Sequence, residues 1–394
     1  MEIAEQIKTK NIAIKKAASV AKGKIVLLLL QSFGTTGGVQ KMTRTLAHAL
    51  NIAAKNTDRD FKAISLYDDE SNLMEQYIAP KNFAGFGKNR FRFFIETIKA
   101  IHKKDTVILT HINLASLGLL IKLLKPKCNI WLVAHGIEVW NPLQFHKKLL
   151  LNYCDKITCV SRFTKTQMID RHKVNAKVCY VLNNSLDPFI NIPDNFTKPD
   201  HLLKKFKLKP ATPVIFTLTR ITSNELFKGY DNVIIAISRL KEKFPEIKYI
   251  LSGQYSAEEE TRITNLVNDV GVNNQIILTG FIPEDELNEY FLLADLFVLP
   301  SKKEGFGLVF IEALARGLRI ICGNADGSMD AIKDGELGKA INPDDIDELE
   351  NSIDELLTDS ITPAERKKLQ QKCLQYFSEE MYVQNIQKLL ATAD

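Results

Sequence analysis

The sequence predicts an α/β protein built from two doubly wound parallel-sheet domains, and three observations predict it. The chain has 394 residues, which at roughly 100–200 residues per domain asks for two domains or three. Short apolar runs alternate with helical patterns along most of its length, the signature of parallel β-α-β units. A stretch at 187–199 rich in Pro, Asn and Asp interrupts the alternation, which then restarts.

In the first half, strands are expected at 24–30, 107–109, 130–134 and 156–160, and helices at 38–52, 114–124 and 162–171. The run at 25–30 has no polar alternation, as a strand covered on both faces requires. It is far shorter than the roughly 20 residues of a membrane-spanning helix. The Pro-rich break makes 191–200 a linker. Beyond it, strands are expected at 214–218, 248–251, 276–278, 296–299 and 319–322, and helices at 231–244, 258–270, 285–294 and 309–316. Each half therefore reads as a Rossmann-like sheet, whose ligands bind at the carboxyl ends of the strands. Two such domains facing each other would enclose a cleft. From residue 363 onward a polar helical pattern with spaced apolar residues (Leu369, Tyr376, Phe377, Met381, Ile386, Leu389) reads as a closing segment docked on the outside. The expected division is an N-terminal domain at 1–190, a linker at 191–200, a C-terminal domain at 201–362 and a closing helical segment at 363–394.

Composition narrows the class. With 45% hydrophobic and 25% charged residues, the chain is ordinary folded protein rather than disordered or fibrous. Its six cysteines (Cys128, Cys154, Cys159, Cys179, Cys322, Cys373) include no C-x-x-C pair and no shared spacing with a nearby His. Buried reduced thiols are expected, not disulfides or a zinc site. The first 24 residues are amphipathic and Lys-rich, without an apolar core before a small-residue cleavage site, so a cytoplasmic placement is expected. Net charge is only +5, yet residues 1–200 hold 30 Lys and Arg against 16 Asp and Glu, while the remainder holds 22 against 31. A basic half suggests an anionic partner, for which a phosphorylated substrate or an anionic membrane is expected and nucleic acid is not. Against this stands a merely solvated basic surface, since no compact Lys/Arg block occurs.

The most informative segment runs from Leu299 to Gly317. A strand ends at Pro300, a loop carries Glu304, Gly305 and Gly307, and an apolar helix begins near Leu308. Small residues at a helix mouth let an anion approach the free backbone N–H groups of the helix's first turn, a cradle for a diphosphate. Glu312 lies about one turn inside the helix, in reach of ligand hydroxyls, and Glu304 faces the ligand's other end. A second constellation is Arg220 at the end of a strand, followed by Lys228-Gly229. It puts two solvent-facing loop cations at the carboxyl edge of the same sheet, able to neutralise a diphosphate without a metal. The glycine turn at Gly34, Gly37 and Gly38 follows the first strand but is not G-x-G-x-x-G, and no acidic residue ends a recognisable second strand, so nicotinamide binding has little support. His135, before Gly136, and His111 each end a strand of the first domain. Asp58-Arg-Asp60 fits D-x-D in form but reads as a solvated turn.

Together these constellations resemble the retaining, nucleotide-sugar-dependent glycosyltransferases of family 4, whose two Rossmann-like domains form the arrangement called GT-B. The resemblance runs from Lys24 to Ala340. It rests on Gly37-Gly38-Val39-Gln40, Ala134-His135-Gly136, Asp155-Lys156-Ile157, Val160-Ser161-Arg162-Phe163, Asn183 to Asp187, Arg220 with Lys228-Gly229, Leu278 to Phe281, Ala294 to Ser301, and Glu304/Glu312 as the family's E-x(7)-E. It implies that Arg220 and Lys228 hold the donor diphosphate, that Glu312 binds the ribose, and that Glu304 with the backbone amides of Phe306, Gly307, Leu308 and Val309 lies at the sugar and its phosphate. The backbone at Phe281 and Ile282 would meet the base, the Gly37-Gly38 loop the donor phosphate and sugar, and His135 the sugar or acceptor. It also implies no metal or other cofactor, a nucleoside-diphosphate sugar (UDP favoured) as co-substrate, and a saccharide or lipid-linked acceptor. Two departures stand out: Asn324 to Asp330 where the family has a glycine-rich turn leading to Glu, and Ser185 where Gly is common. The rival readings are a GT-B-shaped nucleotide-sugar epimerase, which needs no acceptor, and a non-catalytic nucleotide-sugar-binding protein.

Overall fold

A computed structural model describes residues 23–392. The N-terminal lysines Lys8, Lys10, Lys15, Lys16 and Lys22 lie outside the described residues. The chain divides into two compact units. One comprises the described residues up to Pro188 together with those from Phe377 onward, and the other is Phe189–Tyr376.

The first unit is a seven-stranded sheet in the order β3-β2-β1-β4-β5-β6-β7. Its strands are β1 (Ile25–Leu29), β2 (Phe61–Ser65), β3 (Phe83–Gly85), β4 (Thr106–Leu109), β5 (Asn129–Ala134), β6 (Lys156–Cys159) and β7 (Cys179–Val181). Every pairing is parallel. All five residues of β1 are buried, as a central strand covered by helices on both faces must be. The helix Gly38–Asn56 follows β1 and packs against Glu379–Ala391, where His48 pairs with Glu379. Ser161 caps Arg162–His172 by accepting the Thr164 N–H.

The second unit is a six-stranded parallel sheet in the order β10-β9-β8-β11-β12-β13. Its strands are β8 (Val214–Leu218), β9 (Lys248–Ser252), β10 (Ile276–Gly280), β11 (Leu296–Leu299), β12 (Arg319–Gly323) and β13 (Lys339–Ile341). The terminal segment expected as one closing piece is divided. Pro363–Phe377 and Glu379–Ala391 are separate helices, broken at Ser378, whose extended backbone and side-chain cap on the Met381 N–H start the second. All six cysteines are free and buried. No described helix is long and apolar enough to cross a membrane.

Both sheets are thus Rossmann-like and doubly wound, the fold class read from the sequence. Strands β2, β3, β7 and β13 were not expected.

Candidate functional site

In the second unit the strand order reverses between β8 and β11, and open α/β sheets bind ligands outside the carboxyl ends of the strands at such a reversal. The loops after these two strands carry Arg220, Lys228 and Glu304. After β8, residues Ser223–Lys228 make a tight 3-10 turn that ends at Gly229 in the left-handed region, φ 77°. A Cβ at Gly229 would lie 2.5 Å from the Pro300 carbonyl oxygen, so only glycine lets this loop sit on the end of β11. The Lys302 N–H donates to the Phe227 carbonyl at 2.8 Å and fastens the two loops.

That seating brings Lys228 to Glu304. Its Nζ lies 2.5 Å from Glu304 Oε1, and each side chain is only 14% exposed. Lys228 is therefore not the solvent-facing cation expected from sequence: the close seating of the loops buries it, and it is held by a carboxylate on the glycine loop. Arg220 is solvent-facing, 78% exposed, and pairs with Glu225 instead. Helix Leu308–Leu314 starts at Gly307, itself left-handed, and is shorter than expected. Glu312 is buried on it, and the Arg316 guanidinium donates to the Glu312 carbonyl at 2.9 Å and to Asn288 Oδ1 at 3.0 Å. Phe306 is buried. Phe281 and Ile282 follow β10, the edge strand two places from β8; Phe281 is exposed and Ile282 buried.

The first unit holds Gly37, Gly38 and His135. The loop after β1 is fixed by Asp68, fully buried, whose carboxylate accepts the N–H groups of Ser32 (2.8 Å), Phe33 (3.0 Å) and Gly34 (2.8 Å) and the Ser65 hydroxyl (2.7 Å). Arg44, also buried, donates to the Ser32 and Thr35 carbonyls. The expectation that no acid follows a second strand is corrected here, since Asp68 lies just past β2. Its oxygens are occupied by the loop, so it offers no acceptor to a dinucleotide ribose. His135 is buried, its Nε2 2.9 Å from the Thr110 carbonyl, which requires the ring to donate from that nitrogen, while its backbone N–H donates to Glu138 at 2.7 Å. Burial holds the His111 imidazole below its usual range, with the charges of His135 and Lys147 adding to the effect and Glu138 opposing it. Asp58 and Asp60 are exposed in the turn before β2.

Residues 200–375 match the family described as Glycosyl transferases group 1, almost the whole second unit. The second unit thus resembles a group 1 glycosyl transferase domain. Among relatives, a GDP-mannose-dependent alpha-(1-6)-phosphatidylinositol monomannoside mannosyltransferase of Mycolicibacterium smegmatis is 26% identical over 57% of this chain and 60% of its own length. The mannosylfructose-phosphate synthase of Agrobacterium fabrum is 26% identical over 52% of this chain and 45% of its own. The chain thus spans less than two thirds of the length of these relatives. Among solved structures, HepE of Anabaena in complex with UDP superposes with a TM-score of 0.74 at 18% identity, over 94% of this chain and 100% of that one. Sucrose-phosphate synthase of Thermosynechococcus elongatus gives 0.70 at 17%, over 93% and 98%. The resemblance to family 4 glycosyltransferases stands, and with it the GT-B fold.

The second unit contains one residue that sequence reading passed over. Asp326, in the turn after β12, is 3% exposed and accepts the Glu304 N–H at 2.5 Å and the Ser328 N–H at 2.9 Å. Its signal was available: an acid just past a strand adjacent to β11, inside the segment noted as departing from the family. Burial, and then the Glu304 charge, push the Asp326 carboxyl up to about 7. An acid that titrates higher in the folded than in the unfolded chain keeps its proton longer on folding. Its contribution to stability therefore declines as pH rises from about 4 to about 7. Asp326→Asn should flatten that decline in urea denaturation between pH 4.5 and 7.5. The same pH dependence in both proteins would remove Asp326 as its source.

Proposed function

We propose that this protein is a retaining, metal-independent glycosyltransferase. It moves a hexose or N-acetylhexosamine from a nucleoside-diphosphate sugar to a saccharide or lipid-linked acceptor, in surface-polysaccharide, lipopolysaccharide or glycolipid synthesis. The observation that carries the reading is the Lys228–Glu304 pair, with Arg220 on the same loop as Lys228, at the strand reversal of a unit that matches group 1 glycosyl transferases.

In this reading the anomeric C–O bond to the diphosphate breaks through an oxocarbenium-like transition state, and charge builds on the departing phosphate. Lys228 and Arg220 stabilise that charge. At rest each is neutralised by a carboxylate, Glu304 or Glu225, so the incoming diphosphate takes over part of a preformed electrostatic site. As the acceptor oxygen bonds to the anomeric carbon on the same face, its proton passes to the leaving phosphate, so no carboxylate dyad is needed. Glu312 serves the ribose hydroxyls, and the backbone at Phe281 and Ile282 the base.

Thermal-shift screening against UDP-, GDP- and ADP-sugars tests the reading, because a ligand bound only to the folded state raises its melting temperature. UDP is the favoured base. Release of nucleoside diphosphate that depends on acceptor separates transfer from epimerisation; no shift with any of the three donors would defeat the proposal. Metal independence predicts full activity in EDTA. Loss restored by Mg²⁺ or Mn²⁺ would overturn that part.

A lipid-linked acceptor fits peripheral contact with an anionic membrane at the inner face of the cell membrane. The helix Arg90–Ala100 exposes Phe91 (78%) and Ile95 (37%) among Lys88, Arg90, Arg92 and Lys99, with Lys103 and Lys104 beyond it. Near an anionic bilayer each cation contributes about 1 kcal/mol, within a Debye length of roughly 8–10 Å. Co-sedimentation is expected with anionic but not neutral liposomes, weakened by salt and by replacing these six cations with Gln. Equal recovery with both vesicle types, or none with either, would point to a soluble acceptor.

A further inference from the structure

We infer that Asp326 is a positioning residue for the diphosphate end of this site: it holds the Glu304 main chain so that the Glu304 carboxylate presents Lys228 to the ligand. The inference rests on the donor-site reading above.

The geometry is reciprocal. Glu304 is gripped at both of its backbone groups by the turn after β12, its N–H donating to Asp326 and its carbonyl accepting the Gly327 N–H at 2.9 Å. The second carboxylate oxygen of Asp326 takes the Ser328 N–H and so fixes the turn itself. The two loops touch so closely that a Cβ on Gly327 would lie 2.0 Å from the Gly305 carbonyl oxygen and 2.8 Å from that of Glu304. From this clamped backbone the Glu304 side chain reaches Lys228. The line of contact therefore runs from the Asp326 carboxylate through the Glu304 backbone and carboxylate to the Lys228 ammonium.

A carboxylate is an expensive choice for this position, since burial and the neighbouring Glu304 charge both oppose its ionisation. What it provides is two acceptors aimed at two backbone amides, which no neutral side chain of similar size supplies. Asparagine keeps one acceptor and turns an N–H₂ group toward the other amide.

Calorimetric titration of the full chain with UDP and GDP, on the wild type, Asp326→Asn, Lys228→Ala and the double variant, tests this. Asp326→Asn is expected to weaken binding of whichever nucleotide the wild type takes by about tenfold, equivalent to about 1.4 kcal/mol. In the Lys228→Ala background the same change should cost less than about twofold, because the group it acts through is gone. A residue with only a structural role would cost the same in both backgrounds, and that result overturns the inference, as does unchanged affinity in Asp326→Asn. Gly327→Ala pries the same loops apart from the other side and should repeat the loss and its disappearance without Lys228; it carries the test if Asp326→Asn fails to fold. Wild-type binding with no effect of either variant defeats this inference alone. A wild type that binds neither nucleotide defeats the donor-site reading with it.

Discussion

Lys228→Ala is expected to lower kcat/KM by about 10²- to 10³-fold, the cost of removing one preorganised group that stabilises charge developing in the transition state. Arg220→Ala should also lose most activity, but the two variants differ in stability. The Arg220 side chain is 78% exposed while its partner Glu225 is only 15% exposed, so its loss removes little packing but strands one carboxylate, a smaller cost than at Lys228, where both partners are largely buried. Lys228 and Glu304 are each 14% exposed. Truncating the lysine leaves a partly buried Glu304 without its counter-ion and beside Asp326, which adds a folding cost to the kinetic one. Glu304→Gln in the Lys228→Ala background separates the two, restoring stability without restoring turnover. Circular dichroism and urea denaturation establish that the variants are folded, and steady-state kinetics with the preferred donor reads the rest. Wild-type turnover in either single variant would remove that cation from the diphosphate site.

The parts of the fold legible in the sequence are those where local pattern and tertiary demand coincide. The strands Val214–Leu218 and Leu296–Leu299 fall where their apolar runs place them, because a central parallel strand needs no alternation and both end at clear breaks. The strands that escaped have little local signal. Phe83–Gly85, Cys179–Val181 and Lys339–Ile341 have three residues each and lie at sheet edges, too short to show a period. Phe61–Ser65 follows a polar turn and carries Lys62, whose ammonium reaches the Lys81 and Phe83 carbonyls rather than the core.

The site divides in the same way. Glu304, Gly307 and Glu312 lie within one short segment, and the spacing announces them. The pairing of Lys228 with Glu304 joins residues 76 positions apart, and the Asp326 bond to the Glu304 N–H spans 22. Both exist because neighbouring strands deliver their loops to one edge of a sheet, which nothing local encodes. The burial of Lys228 is a consequence of the same assembly, and its character as a loop cation gave no sign of it.

Asp68→Ala is expected to destabilise the protein by about 3–5 kcal/mol, the range for a buried charged network broken from one side. The Asp68 side chain is fully buried and gathers three consecutive backbone N–H groups, of Ser32, Phe33 and Gly34, with the Ser65 hydroxyl. Removing it leaves the buried N–H groups of Ser32 and Phe33 without that acceptor, at about 1–3 kcal/mol for each that water cannot reach, while Gly34 is open to water and the Ser65 hydroxyl also lies 3.3 Å from the Leu30 carbonyl. The size of the loss is set by how many of these donors recover a partner, and a series resolves this. Ser65→Ala deletes one donor while leaving the acceptor and should cost about 1 kcal/mol. Asp68→Asn keeps one oxygen but turns an N–H₂ group against a backbone N–H, and should fall between the two. Urea denaturation measures all three. The order Asp68→Ala, Asp68→Asn, Ser65→Ala in decreasing cost is the expected result, and an Asp68→Ala protein within about 1 kcal/mol of wild type would show that the loop finds other acceptors.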